Sequence, residues 1–218
     1  MTSAIRYQGR KTRRAGSEQR RQAILDAALN IIVTDGIRAV RHRAVAREAD
    51  VPLSATTYYF KDISDLIADA FTLFAERALE NVVRPFRDQA FALIQEFQGD
   101  GASRETLIES LAQVTTAFML DELNNRRDHL IAEQAFLQEA ILDPRLRELA
   151  DLYLEEMGTL LVGACEAIGS PTPELDAEVI HARIMALEVR LLTHPELASE
   201  ASVKTRMRHL LEKLVPHD

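Results

Sequence analysis

Residues 45–60 read VAREADVPLSATTYYF, and where this stretch breaks decides the fold around it. A residue that precedes proline avoids the α region, and proline itself suits the opening turn of a helix. Val51-Pro52 therefore predicts one helix closing near Asp50 and another running from Leu53 to Phe60. That second helix carries five hydroxyl-bearing side chains and two adjacent tyrosines, more than a core helix would spend. Thr56 and Phe60, four apart, share a face and are expected to pack on Ile24, Leu29 and Val45. Leu53, Ser54, Ala55, Thr57 and Tyr58 are left pointing outward.

Upstream, RRQAILDAALNIIVTDG at 20–36 sets Ile24, Leu25, Ala28, Leu29 and Ile32 at helical spacing, and Gly36 is a C-terminal stop. A supporting helix followed by two helices joined through a tight turn is a helix-turn-helix. Residues 61–83, KDISDLIADAFTLFAERALENVV, continue as a long amphipathic helix that Pro85 is expected to end or kink. Beyond it the sequence reads as longer helices, broken by GDGAS at 99–103, LNNRR at 123–127 and GSPTPE at 169–174. Asp143-Pro144 opens one of them, and Gly169, Thr172 and Pro173 stop it and restart the next, with Thr172 as the cap. A final helix spans about residues 201–214. The fold class is all-α.

Composition agrees. The 218 residues are 47% hydrophobic and 28% charged with 8 Gly and 7 Pro, a globular balance rich in helix formers. No apolar run is long enough for a bilayer, and the first residues lack the apolar core of an export signal, so a cytoplasmic protein without membrane contact is expected. The 1 cysteine, Cys165, excludes an internal disulfide framework. Net charge is −8, but it is unevenly spread: residues 1–65 hold 12 basic against 7 acidic side chains and the remainder 14 against 27, or +5 and −13. A basic end on an acidic body is the asymmetry expected where one end meets a polyanion.

The stretch RRQAILDAALNIIVTDGIRAV, then VAREADVP, ATTYYF and DLI, over roughly residues 20–68, resembles the DNA-binding domain of TetR-type (tetracycline-repressor-like) transcriptional regulators. The resemblance implies a basic arm at 1–16, a helix-turn-helix domain at 17–65 and a helical ligand-binding and dimerisation domain at 66–218. It further implies a homodimer on a palindromic operator in double-stranded DNA, released by a small molecule, with no cofactor. Leu53–Phe60 matches the recognition helix of the family, laid in the major groove. Ser54, Thr57, Leu53 and Ala55 are then placed for base edges, and Tyr58 for phosphate. Tyr59 matches a position that contacts the backbone, the alternative being packing between helices.

Two departures stand out. Arg41 occupies the usual Ser/Thr cap of the second helix, where it adds a phosphate contact beside Arg43 and forgoes a cap. Ile63 replaces a phosphate-binding lysine, for which Lys61 is the substitute. Arg6, Arg10, Lys11, Arg13 and Arg14 form an arm along phosphates or in a flanking minor groove, the alternative being a solvated tail. The helices flanking GSPTPE resemble in position the dimerising pair of the family, and the apolar residues expected there are Leu149, Tyr153, Leu160, Leu161, Ala164, Val179, Met185, Val189 and Leu192. A ligand pocket is expected among Phe91, Phe97, Phe118, Met119, Phe136 and Met157, although such side chains are more often core.

Rival chemistry is thin. Glu178 and His181 have the E-x-x-H spacing of di-iron bundles, which need two such motifs where this chain has one. His129 and Glu133 are expected to be a surface pair, and Cys165 a core thiol. There is no phosphate loop, zinc cluster or nucleophile elbow, so an enzyme is not expected. The remaining rival is a helical ligand-binding or protein-interaction module whose basic end no longer binds DNA.

Overall fold

The computed structural model describes residues 15–100 and 103–216. The described elements are helical: α1 Ala15–Asp35, α2 His42–Glu48, α3 Leu53–Tyr59, α4 Ile63–Ala78, α5 Arg84–Asp100, α6 Arg104–Asn125, α7 Arg127–Ala140, α8 Pro144–Ala167, α9 Pro173–Thr193 and α10 Glu200–Leu214. Packing divides the chain into two compact units. One runs to Ala78 and includes Ile131–Tyr153; the other comprises Leu79–Leu130 and the chain from Leu154.

The first unit is built on α1 and α4. Ile24, Leu25, Ala28 and Ile32 of α1 are buried with Val45, Thr56, Phe60 and Leu66, whereas Leu29 is only half-buried and Ile31 takes its place inside. Further along α4, Phe71 stacks on Phe136 at 4.6 Å between ring centroids, and Phe74 and Tyr153 close the group edge-on at 5.9 Å. The Tyr153 hydroxyl donates to Glu133 Oε1 at 2.6 Å. Glu133 is thus buried rather than on the surface, because this bond compensates part of its lost hydration.

The second unit is centred on α6. Leu107, Ile108 and Leu111 pack with Ile94 and Val215; further along, Ala112, Met119 and Leu123 pack with Leu187, Leu191, Val203 and Met207. Ser103 caps α6 by accepting from the Thr106 N–H, and Arg104 donates to the carbonyls of Glu212, in the last turn of α10, and of Val215 and Pro216 just beyond it. His129 Nδ1 lies 2.9 Å from the buried Glu122 carboxylate.

Helix ends explain two differences from expectation. Pro85 does not end its helix: Leu79–Val83 form a π-helical turn leading directly into α5. The wider register opens the backbone where Pro85 supplies no N–H and its ring crowds the carbonyl four residues back. Thr172 sits at the N-cap of α9 without making a side-chain cap bond. Ser170 Oγ instead accepts from the Thr172 N–H and donates to Asp176. Gly169 does end α8, at φ +80, with the Ser170 N–H returning to the Cys165 carbonyl at 3.0 Å.

Candidate nucleic-acid interface

The turn between α2 and α3 is closed by backbone bonds. The Val51 N–H donates to the Ala46 carbonyl at 2.9 Å and the Asp50 N–H to the Arg47 carbonyl at 3.3 Å. This is the paired bonding of a Schellman helix end, which needs a left-handed residue between the two helices. Asp50 fills that role at φ +51, a conformation in which glycine is ordinary and aspartate tolerated. Pro52 then stands at the N-cap of α3, one residue before the first helical position. α2 starts with Arg41 at its N-cap and no side-chain cap bond. α4 is capped by Asp62, whose Oδ1 accepts from the Asp65 N–H at 2.8 Å.

α3 is two-faced. Thr56 and Phe60, at the end of the helix, are fully buried, with the Thr56 hydroxyl donating to the Leu53 carbonyl. Leu53, Ser54, Thr57 and Tyr58 are exposed, Leu53 at 43% and Tyr58 at 53%, and Ala55 is half-buried. Positions i, i+1, i+4 and i+5 make one continuous helix face. That face offers two exposed hydroxyls, with that of Thr57 turned to the Ser54 carbonyl at 3.3 Å, an aliphatic side chain and a phenol, the mixture that reads base edges and thymine methyls.

Tyr59 requires a correction. It is 5% exposed, its ring meets Tyr58 edge-on at 5.1 Å, and its hydroxyl shares a 2.8 Å hydrogen bond with Ser17 Oγ. Its place on the inner side of α3 directs it to α1, not to a backbone phosphate.

Charge around α3 is arranged by partner. Arg38, Arg41, Arg43, Arg47 and Lys61 are exposed, and none is in an ion pair among the described residues. Several acidic side chains of this unit have partners, although Asp50, exposed in the turn, is in no ion pair among the described residues. Asp26 pairs with Arg77 at 2.7 Å, Asp65 with Arg145 at 3.5 Å, Glu48 accepts from Asn30, and Asp62 caps α4. Cations that no carboxylate neutralises are the ones able to displace counterions from a polyanion. Ile63 is half-buried, so it offers no charge, and Lys61 stands beside it. Arg38 and Arg47 escaped the sequence reading; an arginine on the exposed side of a helix end was the available signal. Arg21 belongs elsewhere, buried against Asp69. Arg6, Arg10, Lys11, Arg13 and Arg14 lie outside the described residues.

The expected ligand and dimer residues divide. Among the pocket candidates, Phe136 is stacked in the core of the first unit and Met119 is 1% exposed in that of the second. Phe97 packs on the Ile94 cluster, so these three are core. Phe118 stacks on Phe86 at 4.2 Å and also packs on the buried Met119 cluster, the Phe91 ring lies against Gly163, where a Cβ would stand 3.3 Å from Cζ, and Met157 is half-buried. Of the dimer candidates, Leu149 and Tyr153 are buried in the first unit and unavailable to a partner. Leu160, Leu161, Ala164, Met185 and Leu192 are half-buried, and Val179 and Val189 are exposed. With Leu175, Ala182 and Ala186, also exposed, Val179 and Val189 form an apolar stripe on α9 at 4-3-4-3 spacing.

Cys165 is buried, and burial pushes its thiol up to about 11, with Asp176 adding to the shift. Burial likewise lowers His181, while Glu178 is exposed. Among the described residues no group of three or more His, Cys, Asp or Glu could hold a metal ion, and no helix is long and apolar enough to cross a membrane.

A helix-turn-helix with an uncharged exposed face on α3 and exposed cations that are in no ion pair, joined to a larger helical body, defines a transcriptional regulator by architecture. Comparison with known proteins agrees. The family model described as the tetracyclin repressor-like C-terminal domain matches residues 102–216. Over 173 residues the chain is 25% identical to the HTH-type transcriptional repressor KstR2 of Rhodococcus jostii (strain RHA1), covering 76% of this chain and 74% of that protein. A TetR-family member from Streptomyces coelicolor A3, SCO1917, superposes with a TM-score of 0.65 at 26% identity, covering 91% of this chain and 99% of that one. The multidrug binding protein EbrR, solved with imidazole, gives a TM-score of 0.60 at 25% identity over 91% and 96%. The chain belongs to the tetracycline repressor-like family of transcriptional regulators.

Proposed function

We propose that this protein is a cytoplasmic repressor that binds a palindromic operator as a homodimer and leaves it when a small molecule enters the helical body. Residues 17–65 form the DNA-binding domain and 66–218 the ligand-binding and dimerisation domain. The observation that carries the reading is the exposed Leu53, Ser54, Thr57 and Tyr58 face of α3, flanked by Arg41, Arg43 and Lys61 with no ion-pair partner. One such face reads few base pairs, and a twofold pair set about 34–36 Å apart or more doubles the site. The exposed α9 stripe, with Leu160, Leu161 and Ala164 of α8, is the surface on which the second copy is expected. Alanines at the middle of the stripe let two α9 helices approach closely.

For the ligand, Phe91, Phe118 and Met157 are the expected pocket residues that remain candidates, and their aromatic and thioether character favours an apolar or amphipathic molecule. That the similar EbrR is a multidrug binding protein, solved with imidazole, supports a small-molecule ligand. Release requires only that the ligand prefer a spacing of the recognition helices that misfits the operator. About 2.7 kcal/mol of differential binding gives a hundredfold loss of affinity.

Charge reversal at Arg41 and Arg43, read by operator binding at several salt concentrations, tests the assignment. Loss of affinity with a shallower salt slope supports a repressor. Indifference to both charges, with no DNA bound by the native protein, supports the interaction module. One observation favours that second reading: residues 15–65 hold 7 basic and 7 acidic side chains, so the +5 excess of residues 1–65 resides wholly in residues 1–14.

A further inference from the structure

We infer that the buried Arg21–Asp69 ion pair is a positioning device for the recognition helix, setting the angle at which α3 presents its reading face; this rests on the DNA-binding reading above. Arg21, in the arginine-bearing segment that leads into the fold, is 5% exposed and cannot reach a phosphate. Its guanidinium Nη2 lies 2.5 Å from Asp69 Oδ2, and Asp69 is fully buried on α4. Glu18 stands 3.7 Å from the other guanidinium nitrogen. The same guanidinium carbon sits 5.6 Å over the ring of Phe60, the buried residue that closes α3.

One turn earlier on α1, on the same face, Ser17 shares its hydrogen bond with the Tyr59 hydroxyl. Two consecutive residues at the end of α3, Tyr59 and Phe60, are therefore held by two residues of α1 four apart, and one of those two is locked to α4. The arrangement bridges three helices through a single planar group.

Stability alone does not account for it. Desolvating two charges offsets most of their attraction, and well-packed apolar pairs of similar volume are as stabilising or more so. What the pair supplies is direction. A guanidinium donates to a carboxylate in few orientations, and with its cationic carbon held over the Phe60 ring this restricts rotation and sliding of α1 against α4. Apolar contacts tolerate such sliding. Contacts to base edges do not, so a small tilt of α3 spends its sequence preference while leaving counterion release at Arg38, Arg41, Arg43, Arg47 and Lys61 intact.

The test compares native protein, the double variant Arg21→Met/Asp69→Leu and the single variant Arg21→Lys. Each is measured for thermal unfolding and for affinity to a selected operator and to random duplex at one salt concentration. The double variant is expected to melt at or above the native temperature and to bind random duplex as the native protein does. Its preference for operator over random duplex should fall tenfold or more. Lysine keeps a charge for Asp69 but has no plane to lay on Phe60, so Arg21→Lys should stay folded and lose severalfold preference. Should the double variant not fold, Arg21→Lys decides alone. A native preference in either folded variant overturns the inference and leaves a structural pair. A native protein with no preference for any duplex removes the DNA-binding reading itself, and this inference with it.

Discussion

Neighbouring tyrosines in α3 have opposite fates, and side-chain direction separates them. Tyr58 stands in solvent, while Tyr59 turns inward to Ser17. Tyr59→Phe is accordingly expected to cost about 1 kcal/mol of stability, the net worth of one hydrogen bond, and to leave the salt dependence of DNA binding unchanged. Arg41→Ala should do the reverse, flattening the slope of log affinity against log salt by about 0.9 with little change in unfolding. Chemical denaturation of each variant, paired with salt titration, measures both. Cys165 makes a second prediction at this scale. With its pKa raised from 9.0 to about 11 by burial, the folded protein keeps the proton that the unfolded chain gives up first. Its contribution to stability is fully present below pH 9 and is lost as pH rises toward 11. A thiol reagent at pH 8 should react with Cys165 only after unfolding, and prompt reaction of native protein would contradict the burial.

At the scale of elements, the α2–α3 turn depends on one left-handed residue. Asp50→Gly keeps the conformation without a Cβ penalty and should be neutral or slightly stabilising. Asp50→Val places a β-branched side chain at φ +51 and should cost about 1–2 kcal/mol; urea midpoints of the two variants decide. This turn also shows how far the sequence could be read. Val51-Pro52 made the break legible, since the restriction before proline is local chemistry. That Asp50 would act as the left-handed residue was not legible, because aspartate enters that region only when the next backbone bonds require it. The outward face of α3 followed from helical spacing, with its repeat of about 3.6 residues. Tyr59, on the boundary between faces, needed the position of Ser17, 42 residues away. The same limit explains Phe136 and Met119, for a pocket residue and a core residue have identical spacing and differ only in what lies opposite. Pro85 was visible as an interruption, but the π-helical turn that absorbs it is a choice between stopping and widening that flanking helix formers settle.

At the scale of the molecule, the account joins two copies along α9 and sets two α3 faces on one duplex. Val179→Glu combined with Ala182→Glu places four like charges across that seam in the dimer. It should yield a folded monomer by light scattering, with operator affinity reduced at least tenfold; an unchanged dimer would move the interface off α9. The most direct measurement of the central claim is selection of bound sequences from random duplex DNA, followed by titration of the best sequence across salt concentrations. The account predicts a palindromic winner with half-sites about one helical turn or more apart and an affinity that falls steeply with salt. Folded native protein that enriches no sequence, with no small molecule present, would contradict it.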